Sequence, residues 1–309
     1  MRILVEVPSW LGDTVMASPA IENLINYYKE SKVILIGPFL SIETLKNHPK
    51  IFGSYVIQKK YSSLYKVSKK LGKFDIFISF RNSFRSRFFK YWISSNKKFH
   101  FDKNKYQNCH QVQKYNDFIN DSIGTQLNPG KLIIHPSFKQ DNKSLKPIMG
   151  INPGSSYGGS KRWQPEEFAK VIVELSHKFE ILIFGGFAEI NIANDIEKLL
   201  IENNISNYKN LVNQTSIEEL IKYISTLDMF LTGDSGPMHI AAAFNVPTVA
   251  IFGPTKDYET SQWMNDKSNI VKKNLDCQPC MKRECPLKHN NCMRLIKAEE
   301  VLNSVKSLI

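Results

Sequence analysis

Strand-like apolar runs alternate with helix-like segments along almost the whole chain. The first half contains the runs "RILVEVP", "KVILIGP", "FDIFISF" and "KLIIHP", and the second half contains "PIMGINPG", "EILIFGG" and "VPTVAIFGPT". Segments with helical spacing lie between them, such as "SPAIENLINYYKE", "QPEEFAKVIVELSHKF" and "SIEELIKYISTLD". This alternation predicts an α/β fold with parallel sheets and helices on both faces. The length of 309 residues suits two domains of roughly 150 residues each.

A polar segment with several prolines and glycines, residues 121–147, is the predicted connection between the domains. We therefore predict two Rossmann-like domains that face each other across a cleft, residues 1–147 and 148–309. In such sheets the ligands bind at the carboxyl ends of the strands. Four loops at predicted strand ends are accordingly the candidate site.

Positive charge is concentrated in the first half of the chain. Residues 1–150 carry 24 Lys and Arg against 10 Asp and Glu, whereas residues 151–309 carry 17 against 19. Within the first half, residues 59–105 hold 14 Lys and Arg interleaved with aromatic residues. Nucleic acid, an anionic membrane surface, an anionic small substrate and a merely solvated lysine-rich face all fit this pattern.

The sequence shows neither a membrane-spanning segment nor a signal peptide. No apolar run reaches the ~20 residues that cross a bilayer. The first apolar run is short and leads into Pro-Ser-Trp rather than into a cleavage site. We therefore predict a cytoplasmic protein whose chain begins with a buried strand.

The stretch "GDSGPMH", residues 233–239, begins like the nucleophile motif of chymotrypsin-like serine proteases. Its surroundings predict a strand, a turn and a helix rather than an all-β framework, and His239 would share a helix with Ser235, which is poor geometry for a base. We interpret the stretch as a helix N-terminus that binds an anion, where Gly233 and Gly236 let backbone N–H groups approach a phosphate. Asp234 and His239 would hold sugar hydroxyls and phosphate.

Two further loops in the second half suit a nucleoside diphosphate. The loop "NPGSSYGGSKR" offers the hydroxyls of Ser155 and Ser156 and the cation of Lys161 near a helix start, although its spacing is not that of a P-loop. Glu189 follows a Gly-Gly turn, where a carboxylate can accept hydrogen bonds from ribose hydroxyls or complement a helix dipole. No Asp-x-Asp pair stands at a strand end, so a metal-bridged diphosphate is not predicted.

Asp13 stands in the remaining loop, after the first strand. Its position in "PSWLGDTVMASPA" suits a base that faces the cleft. It equally suits a helix cap, which is a common role of Asp. The residue pattern alone leaves both roles open.

The stretches "PSWLGDTVMASPAI", "NPGSSYGGSKRWQPEEFA" and "GDSGPMHIAAAFNVPTVAIFGPT" together resemble the lipopolysaccharide heptosyltransferases of glycosyltransferase family 9. "PSWLGD" and "CQPCMKRECPLKH" are more similar to the type II members than to the type I members. The resemblance implies a GT-B fold, ADP-L-glycero-β-D-manno-heptose as donor, and the first heptose of the lipopolysaccharide inner core as acceptor. It also implies inverting transfer without a required cofactor or a metal. In GT-B enzymes the terminal helix, here about 297–309, often packs back on the first domain.

The resemblance also implies roles for individual residues. Asp13 matches the general base that deprotonates the acceptor hydroxyl, and Lys161 matches the lysine that meets the diphosphate. The donor-binding positions are Ser155, Ser156, Lys161, Glu189, Thr215, Asp234, Ser235, Gly236 and His239. Ser235 would then bind the donor and attack nothing.

The implied acceptor is anionic and lies at the inner-membrane surface, which gives the basic first half a use. Arg81, Arg85 and Arg87 follow the strand "FDIFISF" and are candidates to bind its anions. We expect a monomer, peripheral to the cytoplasmic face of that membrane, that does not bind nucleic acid.

Four cysteines cluster near the end of the chain as C-x2-C-x4-C-x6-C, at Cys277, Cys280, Cys285 and Cys292. In a cytoplasmic protein such clusters more often bind metal than form disulfides. The spacing differs from the paired C-x2-C motifs of a zinc ribbon. A structural zinc ion, reduced thiols and oxidised thiols all stay open, and no metal ligand is assigned.

Two other functions compete with the implied one. A family-9 transferase with another donor sugar or another core acceptor would share the same loops. A nucleotide- or RNA-binding module would explain the basic half. RNA binding predicts a recognisable motif and stacking aromatics on an exposed sheet, and the sequence shows neither.

Overall fold

The computed structural model describes residues 1–58, 61–138, 146–155 and 157–309, with the side chains of 61–63 left out. The chain divides into two units, Met1–Ser137 and Phe138–Ile309. The predicted boundary at 147/148 lies shortly after this division, and Ser156 and residues 139–145 lie outside the described residues. Among the described residues, no helix combines the length and the apolar character that crossing a bilayer requires.

The first unit is built on a parallel sheet with the strand order β3-β2-β1-β4-β5. Its strands are β1 (Arg2–Glu6), β2 (Lys32–Gly37), β3 (Ile51–Val56), β4 (Lys73–Ser79) and β5 (Ser94–His100). Its helices are α1 (Leu11–Met16), α2 (Ser18–Tyr27), α3 (Phe39–Leu45), α4 (Tyr61–Leu71), α5 (Phe84–Trp92) and α6 (Gln111–Ile123). One core cluster joins Leu4 of β1 and Phe77 of β4 to Leu64 of α4 and Phe89 of α5.

The second unit is built on a parallel sheet with the strand order β11-β10-β9-β6-β7-β8. Its strands are β6 (Ile148–Asn152), β7 (Glu180–Ile183), β8 (Tyr208–Asn210), β9 (Met229–Gly233), β10 (Thr248–Phe252) and β11 (Ser268–Lys272). Its helices are α7 (Pro165–Leu175), α8 (Ile190–Glu202), α9 (Ile217–Ser225), α10 (Gly236–Ala243), α11 (Asp257–Thr260), α12 (Asn291–Arg294) and α13 (Ala298–Lys306). Two single 3₁₀ turns, Gly159–Lys161 and Phe187–Glu189, follow β6 and β7.

The terminal helix α13 packs within the second unit, against α7, β10 and β11. Ala298, Val301 and Val305 are buried on one face of the helix and belong to the core of that unit. The backbone N–H of Ala298 donates to the Glu167 carboxylate at 2.8 Å, which fixes the start of α13 against α7. These contacts make α13 part of the second unit.

Three local features differ from the sequence-based expectation. The run "KLIIHP" forms no strand. Leu132 and Ile134 are buried, but the N–H of Ile133 donates to Ser18 Oγ at 2.9 Å and not to a neighbouring strand. Asp13 lies inside a short helix rather than in a turn. The sequence pattern predicts no strand at β3 or β5, because these edge strands have many exposed positions and no continuous apolar run.

Candidate active site

In each sheet the first strand of the unit lies in the interior and the chain continues to both sides of it. β1 pairs with β2 and β4, and β6 pairs with β7 and β9. Parallel sheets bind ligands at the carboxyl ends of the strands, next to such a reversal of strand order. The polar residues that follow β6, β7 and β9 therefore define the candidate site of the second unit, and those after β1 and β4 define the candidate site of the first.

Lys161 and Asp234 form an ion pair at the carboxyl end of β9. The Lys161 ammonium lies 2.5 Å from Asp234 Oδ2 and donates also to the Asp234 carbonyl oxygen at 3.3 Å. The hydroxyl of Thr255 donates to the same Oδ2 at 2.6 Å. Only 11 % of the lysine side chain and 7 % of the aspartate side chain are exposed. The pair thus holds a cation in a fixed position just before α10.

Tyr157, in the same loop as Lys161, links this cation to the loop that carries Met281 and Arg283. Its ammonium lies 4.6 Å from the centre of the Tyr157 ring, and the Arg283 guanidinium lies 5.6 Å from the same ring. The Tyr157 hydroxyl donates to the Met281 carbonyl at 2.7 Å. Gly158 has φ of +155°, and a Cβ there would come within 2.4 Å of the Arg283 carbonyl oxygen. Only glycine fits at position 158, so the two loops pack closely beside Lys161.

Ser235 is held in a network of neutral polar groups. Asn152 Nδ2 donates to Ser235 Oγ at 3.1 Å, and Thr232 Oγ1 lies 3.0 Å from the same oxygen. Ser235 is the N-cap residue of α10 in an extended backbone conformation, and no side-chain cap bond forms there. Because the first N–H groups of a helix have no partner within it, this end of α10 suits an anion. The geometry gives Ser235 a place in a binding turn rather than beside a base.

Glu189 is a buried carboxylate at the end of β7. Its Oε2 accepts the N–H of Gly186 at 2.8 Å, whereas its Oε1 is buried and has no hydrogen-bond partner among the described residues. The residue is 5 % exposed. Such an oxygen is costly to bury without a donor. A ligand with hydroxyl donors would remove this cost.

The remaining predicted donor-binding residues occupy different depths in the second unit. Ser155 is buried directly after β6, and its Oγ accepts the N–H of Tyr157 at 3.3 Å. Gly236 is the first residue of α10, and His239 is buried further along that helix. Thr215 is half-buried in the loop between β8 and α9. The predicted residue Ser156 lies outside the described part of the chain.

Asp13 of the first unit lies in the first turn of α1. The N-cap position belongs to Trp10, so Asp13 is not the N-cap residue that the helix-capping alternative requires. An acidic residue in the first turn also complements the helix dipole. The Asp13 carboxylate acts on buried Tyr115 of α6: burial raises the pKa of that phenol well above its usual value, and the negative charge of Asp13 raises it further. The half-buried Asp13 carboxylate therefore lies close enough to Tyr115 for its charge to act on that phenol.

The sequence analysis missed Glu6, which is almost fully buried at the end of β1. Its Oε2 accepts the hydroxyls of Ser79 at 2.7 Å and of Ser86 at 2.5 Å, and its Oε1 accepts Arg81 Nη1 at 3.3 Å. Burial lowers the pKa of Arg81 from its ordinary value, and the Glu6 carboxylate opposes that shift. A glutamate within an otherwise apolar strand is the signal that could have revealed this anchor.

The three candidate arginines have different hydrogen-bond partners. Arg81 is paired with Glu6, and its side chain is 10 % exposed. Arg85 Nη1 donates to the Gln58 carbonyl at 3.1 Å, and Arg87 Nη2 donates to Asn82 Oδ1 at 3.4 Å. Arg81 therefore carries a clear structural task, while Arg85 and Arg87 project from α5.

The four clustered cysteines line one small cavity together with Ser160, Pro254 and His289. All four are free thiols. Burial raises the pKa of the Cys292 thiol to about 11, and the three other thiols add to the shift. Among the described residues, the metal-competent group of His, Cys, Asp or Glu side chains is Glu22, His48 and His135, not the cysteines. The cavity joins the cysteine loop to Ser160, whose hydroxyl donates to the Lys282 carbonyl at 2.6 Å.

Two Rossmann-like units, one of which carries a cation and a helix N-terminus at the ends of its central strands, are typical of glycosyltransferases of the GT-B class. The model of glycosyltransferase family 9 (heptosyltransferase) matches residues 64–291. Lipooligosaccharide heptosyltransferase 2 of Campylobacter jejuni serotype O:2 is 41 % identical in an alignment that covers 100 % of this chain and 98 % of the relative. The chain therefore belongs to glycosyltransferase family 9.

Solved structures agree with the predicted fold. A family-9 glycosyltransferase from Veillonella parvula superposes with a TM-score of 0.83 at 19 % identity and covers 99 % of this chain and 96 % of its own. The ADP-heptose lipopolysaccharide heptosyltransferase II of E. coli has a TM-score of 0.82 at 20 % identity, with 100 % and 98 % covered. The predicted GT-B fold, with two Rossmann-like domains, is confirmed, and the protein is a glycosyltransferase.

Proposed function

We propose that this enzyme transfers L-glycero-D-manno-heptose from ADP-heptose to the first heptose of the lipopolysaccharide or lipooligosaccharide inner core. The observation that carries the proposal is the 41 % identity, along the whole chain, to a lipooligosaccharide heptosyltransferase 2. The buried groups of the second unit supply the chemistry that such a donor requires.

The nucleoside part of the donor fits Glu189. Ribose presents two adjacent hydroxyls, and Glu189 Oε1 is buried without a donor among the described residues. The backbone bond from Gly186 holds the other carboxylate oxygen, so the orientation of the carboxylate is fixed before the donor binds. Thr215, in the loop before α9, would close over adenine.

The diphosphate fits the Lys161 cation and the start of α10. The leaving ADP develops negative charge as the bond between the anomeric carbon and the phosphate oxygen breaks. Lys161 would counter that charge, and Asp234 keeps its ammonium in place. Ser155, Ser156, Ser235, Gly236 and His239 complete the proposed donor site.

Asp13 would act as the general base. The acceptor oxygen forms the new bond to the anomeric carbon from the face opposite the diphosphate, and its proton goes to the Asp13 carboxylate. One displacement inverts the configuration at that carbon, so no covalent intermediate on the enzyme forms. The displacement changes no oxidation state, so it needs no redox cofactor. Lys161 and the N-terminus of α10 would supply the positive charge that a metal ion could otherwise provide.

The acceptor is a lipid-linked saccharide that carries anionic groups. The enzyme would act as a monomer at the cytoplasmic face of the inner membrane, without nucleic acid as a partner. Arg85 and Arg87 project from α5 and are the arginines available to the anions of the acceptor, because Arg81 is engaged by Glu6.

The test is ADP release by the purified protein with ADP-heptose and a core acceptor that ends in one heptose. We expect ADP release that depends on the acceptor, and a product heavier by one heptose in mass spectrometry. ADP-heptose binding without transfer would assign a different core acceptor. Absence of ADP-heptose binding, with another nucleotide sugar bound instead, would make the enzyme a family-9 transferase with a different donor.

Replacement of Glu189 by glutamine is expected to weaken donor binding by about 10- to 100-fold, because a charged acceptor of ribose hydroxyls is lost. Titration calorimetry with ADP measures the change directly. Glu174→Gln, on the exposed side of α7, is the matched control and is expected to bind ADP like the wild type. If the Glu189 variant and the control bind ADP equally well, the Glu189 carboxylate does not bind the ribose.

A further inference from the structure

We propose that α4 and α5 of the first unit present a surface that docks on an anionic lipid membrane. We call it the aromatic–basic surface, and it consists of Tyr65, Lys66, Lys69 and Lys70 of α4 and Phe84, Phe88, Lys90, Tyr91 and Trp92 of α5. The proposal rests on the proposed function in one respect: a lipid-linked acceptor would bring the enzyme to a membrane. The residues that support it belong to the first unit, whereas the proposed donor-binding residues belong to the second.

The aromatic side chains of this surface form a continuous row. Phe84 and Phe88 lie 4.8 Å apart between ring centres, Phe88 and Trp92 6.3 Å, and Trp92 and Tyr65 5.8 Å. Positions four apart share one face of a helix, so α5 presents the first three rings in line and α4 adds the fourth. The row is therefore a feature of two packed helices rather than of single scattered side chains.

Four of the five rings of the aromatic–basic surface are exposed, whereas Trp92 is half-buried and packs against the core of the unit. Phe84 is 70 % exposed, Phe88 43 % and Tyr91 84 %, whereas Leu64 and Phe89 are buried in the core of the unit. Large aromatic side chains grouped on a surface mark an interaction site more often than scattered ones do. Tyrosine and tryptophan in particular are enriched where protein meets the headgroup region of a bilayer.

The charge around the row identifies the kind of surface that it fits. Helices α4 and α5 contain six Lys and Arg and no Asp or Glu, and from Thr44 to His100 the one acidic residue is Asp75, against 14 Lys and Arg. The ammonium of Lys69 lies 5.6 Å from the centre of the Tyr65 ring, so basic and aromatic groups are interleaved in space. A surface of this composition complements anionic lipid headgroups over an apolar layer.

The geometry favours a membrane over a nucleic acid. The rings pack against their neighbours at interplanar angles of 68°, 52° and 81°, and they stand on helices. Base recognition in single-stranded RNA uses rings that lie open for stacking, as on an exposed sheet. An amphipathic face with aromatic and basic residues instead lies in the plane of a bilayer surface.

The test is sedimentation of the purified protein with vesicles of phosphatidylcholine containing 30 % phosphatidylglycerol, compared with vesicles of phosphatidylcholine alone. We expect binding to the anionic vesicles that weakens with salt. Lys66→Gln/Lys69→Gln/Lys70→Gln is expected to lower the partition coefficient by about 100-fold, at roughly fivefold for each charge. Phe84→Ser/Tyr91→Ser is expected to lower it by at least tenfold.

Matched variants test whether vesicle binding depends on this surface in particular or on any exposed ring or lysine. Phe52→Ser/Tyr258→Ser removes rings that are 63 % and 52 % exposed elsewhere, and Lys178→Gln/Lys198→Gln/Lys209→Gln removes three exposed lysines of the second unit. Both are expected to bind vesicles as the wild type does. Equal losses in these controls, or wild-type binding by the surface variants, would overturn the proposal.

A water-soluble, delipidated core acceptor distinguishes docking from saccharide binding. The surface variants are expected to keep the wild-type kcat and KM with this acceptor. A raised KM in these variants, which leave Arg85 and Arg87 unchanged, would place the saccharide on the aromatic–basic surface itself and overturn the membrane assignment. The wild type and all variants could fail to transfer heptose while the surface variants still lose vesicle binding and the controls do not. In that case the proposed function fails and the docking surface is still supported.

Discussion

Asp13→Asn is expected to lower kcat for heptose transfer by about 10²- to 10⁴-fold, the usual contribution of a general base. Asparagine keeps the size of the side chain but cannot accept the acceptor proton. Donor binding is expected to be unchanged, because Asp13 belongs to the first unit and the proposed donor residues to the second. Single-turnover ADP release, with ADP-heptose and acceptor in excess over their dissociation constants, measures the effect on the chemical step.

A structural role for Asp13 predicts a different result. Asparagine in the first turn of α1 would remove a favourable charge–dipole interaction, so a structural variant would melt earlier and remain active. Asp121→Asn is the matched control, since that carboxylate is about half exposed in an ion pair with Lys105. A variant of Asp13 with wild-type kcat and a lowered melting temperature would remove the residue from the mechanism.

Lys161→Met is expected to reduce both activity and stability. The charge that counters the leaving diphosphate is lost, which predicts a fall in kcat of about 10²- to 10³-fold. The buried Asp234 carboxylate also loses its partner, and breaking a buried pair in this way costs about 3–5 kcal/mol. For a unit of this size, we expect the melting temperature to fall by roughly 10 °C.

The double variant Lys161→Met/Asp234→Asn separates these two effects. It removes both charges of the pair and leaves an amide that can still accept the Thr255 hydroxyl. We expect most of the lost stability to return while kcat stays as low as in Lys161→Met. Recovery of activity together with stability would mean that Lys161 serves the fold and not the leaving group.

The sequence revealed the second unit better than the first. In the second unit, glycine-rich turns follow continuous apolar strands, so the amino-acid pattern alone was enough to place the loops after β6, β7 and β9 at one end of a sheet. The ion pair of Lys161 with Asp234 was not predictable in the same way. Those residues are far apart in the chain, and only the order of the strands brings them together.

The first unit shows what a local pattern leaves out. Arg81 follows a strand and is basic, which suggested acceptor binding, but its partner Glu6 lies on another strand and was not visible to local reasoning. The run "KLIIHP" satisfies the pattern of a strand, yet its apolar side chains reach the core without a hydrogen-bonded neighbour. A strand needs both burial of its apolar side chains and hydrogen-bonded pairing with a neighbouring strand. A sequence pattern predicts chiefly the burial.

The contact between Gly154 and Glu189 has a consequence for attempts to alter the proposed donor site. A Cβ at position 154 would lie 1.8 Å from Glu189 Cγ, and a Cβ at position 185 would lie 2.7 Å from Glu189 Cβ. A substitution at either glycine therefore expels the carboxylate, whatever the new side chain offers to a nucleotide. Mutational scanning one position at a time would record both glycines as intolerant and hide every useful combination. Libraries for altered donor choice must vary residues 154, 185 and 189 jointly, because a Cβ at either glycine position would collide with the Glu189 side chain.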